Sequence, residues 1–410
     1  MKLGFLIEAM REQIVSVRYQ GRSVPLALFH LPPSRVLLES AIQGISLHSK
    51  RTKQGYLFFC LCGTLFKGRD FIAEAWKNGA TAVVMDEPLT HKVPRNVTII
   101  SVKDSSACLV SAVNAFYGSP VEKVNLTAIT GTNGKTTITF LLENILAAHN
   151  TPAGIIGTVN YRFGKKLFQA PNTTPDIVTT FDFLNQMVHA KIHFLFMEVS
   201  SHALAQNRIR GLRFNQAIFT NLSQDHFDYH LTMRRYFDAK SLLFTQHLKE
   251  NATAIINSDD DYGARLATII KKDKRIRLMT YGIKRKATVG ATKLRFHANG
   301  SSAIIRSPRH SFPLSTNLLG LFNMYNILAS VGTCLALDIP IPDIVSGLKN
   351  VIIPGRLERI PCDRGIRIFV DYAHTEDALR NVLLTLRSLR EKGRVIVVFG
   401  CGGDRDRPDP

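Results

Sequence analysis

The sequence predicts an α/β fold with parallel sheets. From about residue 105 onward, short and nearly continuous apolar runs alternate with longer segments of helical spacing. Such runs are typical of strands whose two faces are both covered by helices. One of these apolar runs is followed by a Gly-rich turn and then by a helical segment. This order of strand, turn and helix is found at the phosphate sites of α/β folds. At 410 residues, the chain is long enough for two to four domains.

The individual elements follow from apolar runs bounded by turn residues. In the first hundred residues we expect strands at 56–62 and 81–85, with a helix at 71–78 between them. Further along, the expected buried strands are 124–130, 193–199, 217–221, 252–257, 367–371 and 395–400. The expected helices are 135–149, 176–190, 234–248, 323–337 and 375–392. Pro354-Gly355 predicts a hinge before the last part of the chain.

The formal net charge of +20 would attract polyanions such as nucleic acid, nucleotides or UDP-linked substrates. A basic surface without any such role explains the charge equally well. The sequence has neither a long Lys/Arg tract nor an RNA-binding aromatic motif, so we expect no nucleic-acid partner. Its six cysteines lack zinc-ligand spacing and no run can span a bilayer, which favours a cytoplasmic protein. We also expect a monomer.

The strongest local signal is the turn after the apolar run 124–130. It reads Gly131-Thr132-Asn133-Gly134-Lys135-Thr136-Thr137 and continues into a helical segment. Glycines let backbone N–H groups close on phosphates, and the helix N-terminus adds partial positive charge. Lys135 would bridge the β- and γ-phosphates, while the Thr136 hydroxyl would hold Mg²⁺. The usual first glycine of this motif is replaced by Ile129. The turn predicts an ATP site.

An ATP site also needs an acid near Mg²⁺, normally at the end of a neighbouring buried strand. Glu198 ends the apolar run that begins near residue 193, and Ser200-Ser201-His202 follow it directly. A surface acid at a strand end is the alternative interpretation. The polar residues that follow favour a site.

Several motifs in one fixed order make the sequence similar to the Mur ligase family, which uses ATP to activate a carboxylate and form an amide. They are 130–137, 172–175, 197–204, 220–230, 239–244, 323–326, 354–358 and 371–375. The resemblance implies three domains: a smaller N-terminal uridine-nucleotide-binding domain at 1–104, a central ATP-binding ligase domain with a parallel P-loop sheet at 105–354, and an incomplete Rossmann-like C-terminal domain at 355–410.

The resemblance also assigns residues, some of which have plainer readings by themselves. Lys135, Lys240 and His226 are the implied catalytic residues. The implied ATP contacts are Gly131, Thr132, Asn133, Gly134, Lys135, Thr136, Thr137, Asn323, Asn326, Arg356 and Asp371. The implied contacts with the UDP-linked substrate are Ser49, Thr173, Thr174, Ser200, Gln206 and Arg208. The implied Mg²⁺ ligands are Thr136, Glu198, His226 and Lys240. Alone, Arg208 has a structural arginine as its alternative reading. The Asn323/Asn326 pair alone reads equally as a helix cap or a solvent face.

Lys240 by itself reads as an ordinary helical lysine. In the family, the matching lysine is carbamylated by CO₂, which replaces an ammonium that would repel Mg²⁺ with an anion that has two oxygens suited to a hard cation. The N-terminal match is weaker than the central one. The family's Asp-Ser-Arg stretch is His48-Ser49-Lys50 here, so only Ser49 is carried over.

The run 400–406 resembles the branch of the family that adds diaminopimelate. The expected reaction joins meso-diaminopimelate to UDP-N-acetylmuramoyl-L-alanyl-D-glutamate through an acyl phosphate, in peptidoglycan biosynthesis. The family's later Asn-Pro-Arg motif is absent, so we expect a truncated chain with little turnover. The alternatives are a lysine-adding homologue, a ligase like folylpolyglutamate synthase, a non-catalytic nucleotide-binding relic and a basic ATPase acting on nucleic acid. The separate unit before the P-loop disfavours a ligase like folylpolyglutamate synthase.

Overall fold

The structure is a computed structural model that describes residues 1–19, 21–24, 34–61, 67–86, 97–363, 365–390 and 393–400. Its α-helices are α1 Leu3–Met10, α2 Ser34–Leu38, α3 Ile72–Lys77, α4 Ser105–Tyr117, α5 Lys135–Ala148, α6 Ile177–His189, α7 Ser201–Ala205, α8 Phe227–His230, α9 Met233–Gln246, α10 Asp261–Ile270, α11 Leu321–Ala336, α12 Ile341–Lys349 and α13 Glu376–Ser388. Its strands are β1 Ile14–Tyr19, β2 Arg22–Val24, β3 Gly44–Ser46, β4 Tyr56–Cys60, β5 Ala80–Met85, β6 Thr98–Val102, β7 Asn125–Thr130, β8 Ala153–Ile156, β9 Tyr161–Phe163, β10 Lys166–Phe168, β11 Phe194–Glu198, β12 Phe214–Phe219, β13 Leu248–Asn257, β14 Arg277–Gly282, β15 Val289–His297, β16 Gly300–Arg306, β17 Ser311–Thr316, β18 Glu358–Ile360 and β19 Ile368–Val370.

The chain forms two compact units. The first contains the described residues up to 123 together with 176–190 and 209–211. Its six-stranded sheet has the order β2-β1-β6-β5-β4-β3, with parallel pairing from β3 to β6 and antiparallel pairing at β1 and β2. The expected strand 56–62 is β4 as far as Cys60; residue 62 lies outside the described residues. The domain boundaries 1–104, 105–354 and 355–410 stay predictions.

The second unit is built on an eleven-stranded sheet in the order β10-β9-β8-β11-β7-β12-β13-β14-β15-β16-β17. Pairing is parallel from β8 to β15, while the two ends of the sheet are antiparallel. α5 packs against α11 and α12, and its residues share one apolar core with β7 and β11. This confirms the predicted α/β class, because the nearly continuous apolar runs do form buried parallel strands.

The helices expected at 135–149, 176–190, 234–248, 323–337 and 375–392 are α5, α6, α9, α11 and α13, with ends that differ by at most four residues. Two expectations near the C-terminal end of the described chain are wrong. Residues 394–400 form no strand, and Val398 is 98% exposed, because no described strand lies beside them to pair with their backbone. The strand expected at 367–371 is β19, which is not buried: among the described strands it pairs only with β18.

Among the described residues, no helix is both long enough and apolar enough to cross a bilayer.

Candidate active site

The predicted phosphate turn lies between β7 and α5. β7 ends at Thr130 and α5 begins at Lys135, so the turn leads directly into the N-terminus of a helix. Gly131 and Gly134 have φ values of 143° and 93°, which favour glycine. A Cβ on Gly131 would lie 1.8 Å from the Thr220 hydroxyl oxygen, and a Cβ on Gly134 would lie 2.4 Å from Asn326 Oδ1. Both positions therefore require glycine.

The shape of this turn is fixed by the residues that follow β12. The Thr220 hydroxyl donates to the Asn133 carbonyl at 2.6 Å, and Asn133 N–H donates to Asn221 Oδ1 at 3.0 Å. The Thr132 hydroxyl donates to the Ser223 carbonyl at 3.2 Å. Sequence reasoning assigned no role to these three partners, although they lie within the matched motif 220–230.

Two lysines meet at one carbonyl of the turn. Lys135 Nζ donates to the Gly131 and Thr132 carbonyls at 2.9 and 2.8 Å, and Lys240 Nζ donates to the same Gly131 oxygen at 3.0 Å. Burial lowers the pKa of Lys135, while the charges of Glu198 and Asp225 oppose this effect. Two cations that share one acceptor repel each other, so this part of the site favours an arrangement in which one positive charge is lost.

Lys240 is 1% exposed. Burial lowers its pKa well below the ordinary value, and the charge of Lys135 lowers it further. Its Nζ lies 4.5 Å from the centre of the Tyr236 ring, one helical turn earlier on α9. The Tyr236 hydroxyl in turn lies 3.2 Å from Thr132 Oγ1. One face of α9 therefore contacts the turn at two points, and it presents a lysine that readily loses its proton.

The predicted acid, Glu198, ends β11 beside β7 and is 1% exposed. Thr158 donates to its carboxylate with both its backbone N–H and its hydroxyl. The Glu198 backbone carbonyl accepts a hydrogen bond from the Thr174 hydroxyl at 3.0 Å. The buried acid is thus placed next to the phosphate turn, as the sequence predicts.

The other predicted substrate residues fall into three places. Thr174 accepts from Ser200 N–H at 3.0 Å, and its carbonyl accepts from Arg208 at 3.4 Å, so these three form one cluster. Gln206 directly follows α7 within the same stretch. Ser49 belongs to the first unit, where it is buried and donates to the Glu74 carboxylate.

His226 has a left-handed backbone with φ of 55°, and its ring lies 3.4 Å from the Asp225 carboxylate. Burial lowers its pKa to about 4, which leaves the imidazole neutral near pH 7. A neutral imidazole nitrogen is the form that binds metals. The rings of His202 and Tyr236 lie close to the His226 ring. Tyr229 packs against His202, and His230 stacks on Tyr236.

The predicted adenine pair lies on α11 against the turn. Asn326 donates to Asn323 Oδ1 at 3.2 Å, and Asn323 donates to the Leu319 carbonyl at 2.9 Å. Asn326 is the residue that approaches Gly134 most closely. The pair is buried, and neither residue is the N-cap of α11, which is Gly320.

Tyr325, between these asparagines, donates its hydroxyl to the Asp259 carboxylate at 2.8 Å. Asp259 also accepts three backbone N–H bonds from residues 283–285. Burial opposes ionisation of Asp259, but these four hydrogen bonds together hold its pKa below the ordinary value. The carboxylate therefore fixes both the 283–285 loop and α11.

Arg356 and Asp371 have different surroundings. Arg356 donates to the Thr136 hydroxyl at 3.3 Å, so it reaches the helix that follows the predicted phosphate turn. Its guanidinium carbon lies 4.6 Å from the centre of the Tyr372 ring. Asp371 accepts backbone N–H groups of Leu357 and Ala373 at 2.6 and 2.7 Å. Its carboxylate holds the turn that follows Pro354-Gly355, a role that sequence reasoning missed.

A strand that ends in a Gly-rich turn, a lysine that heads the next helix and a buried acid on the adjacent parallel strand define a P-loop nucleotide-binding protein. Comparison with protein families makes the class specific. The model "Mur ligase family, catalytic domain" matches residues 41–117, "Mur ligase middle domain" matches 129–334, and "Mur ligase, glutamate ligase domain" matches 355–409. The chain belongs to the Mur ligase family.

Individual relatives agree. The UDP-N-acetylmuramoyl-L-alanyl-D-glutamate--2,6-diaminopimelate ligase of Geobacter metallireducens is 43% identical over 89% of this chain and 71% of its own length. The ligase of that name from Aquifex aeolicus is also 43% identical, over 89% and 73%. A solved structure of a ligase of that name has a TM-score of 0.73 at 30% identity and covers 89% of this chain and 74% of that one. These similarities give no support to the expected low turnover, which stays a prediction.

Proposed function

We propose that this chain is an ATP-dependent ligase that joins 2,6-diaminopimelate to UDP-N-acetylmuramoyl-L-alanyl-D-glutamate. The observation that carries the proposal is the convergence of Lys135 and Lys240 on the Gly131 carbonyl, beside the strand that ends in Glu198. The relatives described above, which act on these substrates by name, support the choice of substrate. We further propose that the protein acts in the cytoplasm as a monomer.

ATP would bind at the N-terminus of α5. The turn amides and the helix dipole suit phosphate oxygens, and Lys135 would exchange its bonds to two carbonyls for bonds to the phosphates. Asn323 and Asn326 would bind the base. Arg356, which already touches the Thr136 hydroxyl, would neutralise further phosphate charge.

The donor set fits Mg²⁺. No three His, Cys, Asp or Glu side chains cluster as a metal site in the part of the chain that the structure describes. A Mg²⁺ ion that keeps waters and phosphate oxygens needs only one or two protein oxygens, which Thr136 and Glu198 would supply. His226 and a carbamylated Lys240 would hold a second Mg²⁺. When bound, Mg²⁺ neutralises charge that develops on the phosphates.

Lys240 fits carbamylation by CO₂. CO₂ reacts with a neutral amine, and burial beside Lys135 favours the neutral form of Lys240. The carbamate would place a negative charge beside the Lys135 ammonium where two cations now share one acceptor. The same buried position therefore favours the modification and then stabilises it.

In the reaction, the carboxylate of the UDP-linked substrate attacks the γ-phosphate of ATP and ADP leaves. The amine of diaminopimelate then attacks the acyl phosphate, and phosphate leaves as the amide forms. Thr173, Thr174, Ser200, Gln206 and Arg208 would hold the acceptor substrate. The protein contributes mainly positioning and positive charge near the transferred phosphoryl group.

The test measures phosphate release and, by mass spectrometry, the tripeptide product, with diaminopimelate or lysine as the amine. We expect release that depends on the UDP-linked substrate, a preference for diaminopimelate, and loss of both signals in Lys135→Ala. A variant Lys135→Ala with near-native rates would contradict the proposed role of the turn. Equal product from lysine would contradict the proposed amino acid.

A further inference from the structure

The carboxylate of Glu198 is held by one residue of the neighbouring strand connection. Thr158 N–H donates to Oε1 and the Thr158 hydroxyl donates to Oε2, both at 3.0 Å. β8 and β11 are parallel neighbours, with Ile156 paired to Met197, so the residues just beyond both strands meet at the same edge of the sheet. Each carboxylate oxygen keeps lone pairs beyond the one that Thr158 uses.

The direction of the hydroxyl bonds is set by the single proton of each threonine. The Thr158 hydroxyl lies 3.1 Å from the Thr173 hydroxyl. Because Thr158 gives its proton to Glu198, it accepts from Thr173. The result is an ordered chain from Thr173 through Thr158 to the acid. If the Glu198 carboxylate rotates away, the Thr158 hydroxyl loses its acceptor and can donate to Thr173 instead, so the direction of the hydrogen bond between the two threonines is no longer fixed.

The absence of a side chain at Gly157 leaves room for the Glu198 carboxylate where it accepts both hydrogen bonds from Thr158. A Cβ at this position would lie 2.3 Å from Glu198 Oε1, closer than atoms can approach. Since the carboxylate is 1% exposed and bonded at both oxygens, it has little room to yield. Glycine at 157 and threonine at 158 together set the position of the acid.

We propose that Thr158 is a positioning residue that couples the divalent-cation ligand Glu198 to the acceptor-substrate contact Thr173. This inference rests on the proposed function, which gives those two residues their roles. By holding the carboxylate in one orientation, Thr158 lowers the reorganisation that cation binding requires. By accepting from Thr173, it makes the orientation of the substrate contact depend on the same carboxylate.

The experiment uses Thr158→Val, which removes the hydroxyl but keeps the backbone N–H bond, and Thr158→Ser, which restores the hydroxyl. Mn²⁺ binding to the ADP complex is measured by electron paramagnetic resonance, and binding of the UDP-linked dipeptide by calorimetry. Loss of a residue that orients a metal ligand typically weakens metal binding roughly 10- to 100-fold. We expect a loss of that size in Thr158→Val, weaker dipeptide binding in the same variant, and near-native values in Thr158→Ser.

Two further variants keep the test decisive. Thr288→Val removes a hydroxyl from another threonine pair, with Thr280, where no acid is involved, and should leave Mn²⁺ binding unchanged. Gly157→Ala displaces the carboxylate directly and should weaken Mn²⁺ binding even if Thr158→Val folds poorly. Equal Mn²⁺ affinity in Thr158→Val and the unsubstituted protein would overturn the inference. A protein that binds neither ADP nor dipeptide before any substitution would instead overturn the proposed function.

Discussion

Replacing Lys240 with methionine should stabilise the nucleotide-free protein while it abolishes ligation. The lysine is buried, and its Nζ shares the Gly131 carbonyl with Lys135. Methionine has a similar length and needs no hydrogen-bond partner. It removes a group that, in the folded protein, must either stay charged beside Lys135 or give up its proton. The Gly131 carbonyl stays satisfied, because Lys135 still donates to it.

The size of the effect follows from the geometry. The two nitrogens lie 2.9 and 3.0 Å from one oxygen, which places them at most about 6 Å apart. With both lysines protonated, two positive charges at that distance repel by about 3 kcal/mol at an effective dielectric constant of about 20. A Lys240 that is neutral in the folded protein avoids this repulsion, but it has given up a proton that it holds in the unfolded chain, which also costs free energy at neutral pH. The substitution also loses a hydrogen bond worth about 1 kcal/mol and a ring contact worth about 1 kcal/mol. We therefore expect the free energy of unfolding of Lys240→Met to be higher by about 1 to 3 kcal/mol, once the removed cost of burying a lysine is included.

The assay is thermal unfolding in CO₂-depleted, nucleotide-free buffer near neutral pH, followed with a probe in the second unit. For a unit of this size, about 1 kcal/mol moves the midpoint by roughly 2 to 4 °C. Lys349→Met, at an exposed position at the end of α12, is the matched control and should change little. A lower unfolding midpoint in Lys240→Met but not in the control would contradict this prediction. It would mean that the Lys240 side chain stabilises the nucleotide-free protein.

Two other predictions use different parts of the site. Asp259→Asn should lower the free energy of unfolding by about 2 kcal/mol, as expected when charge-assisted hydrogen bonds are lost. Since folding lowers the pKa of Asp259, this difference should be constant above the ordinary carboxyl pKa and shrink as pH falls through the folded value, in unfolding measured against pH. Gly134→Ala should weaken ADP binding about tenfold or more in calorimetry, because φ is 93° and the new Cβ would press on Asn326. Gly118→Ala, also at a positive φ (69°) but with open surroundings and far from the turn in sequence, should leave ADP binding unchanged.

The parts of the fold that sequence predicts well are those with a local cause. The nearly continuous apolar run before Gly131 is β7, and the lysine after the second glycine heads α5, because the turn and the helix start are encoded by adjacent residues. Glu198 follows the same logic, since it ends an apolar run. An apolar run is not sufficient, however: the one at 395–400 forms no strand, because pairing depends on a neighbour that local sequence does not specify.

What sequence reasoning missed depends on long-range contacts. Thr158 and Glu198 are 40 positions apart and meet only because β8 and β11 are adjacent in the sheet. Sequence analysis assigns Tyr236 no role, although its four-residue spacing from Lys240 places both on one helix face. That spacing was the available signal. For Thr158 the strand order would have been needed first.

The proposed reaction requires that the acceptor carboxylate attacks ATP and forms an acyl phosphate. The most direct measurement incubates the protein with ATP, diaminopimelate and a UDP-linked dipeptide whose reacting carboxylate carries ¹⁸O, and then determines the isotope content of the released phosphate by mass spectrometry. We expect one ¹⁸O atom to appear in the phosphate for each amide formed. Phosphate without the label would contradict the account.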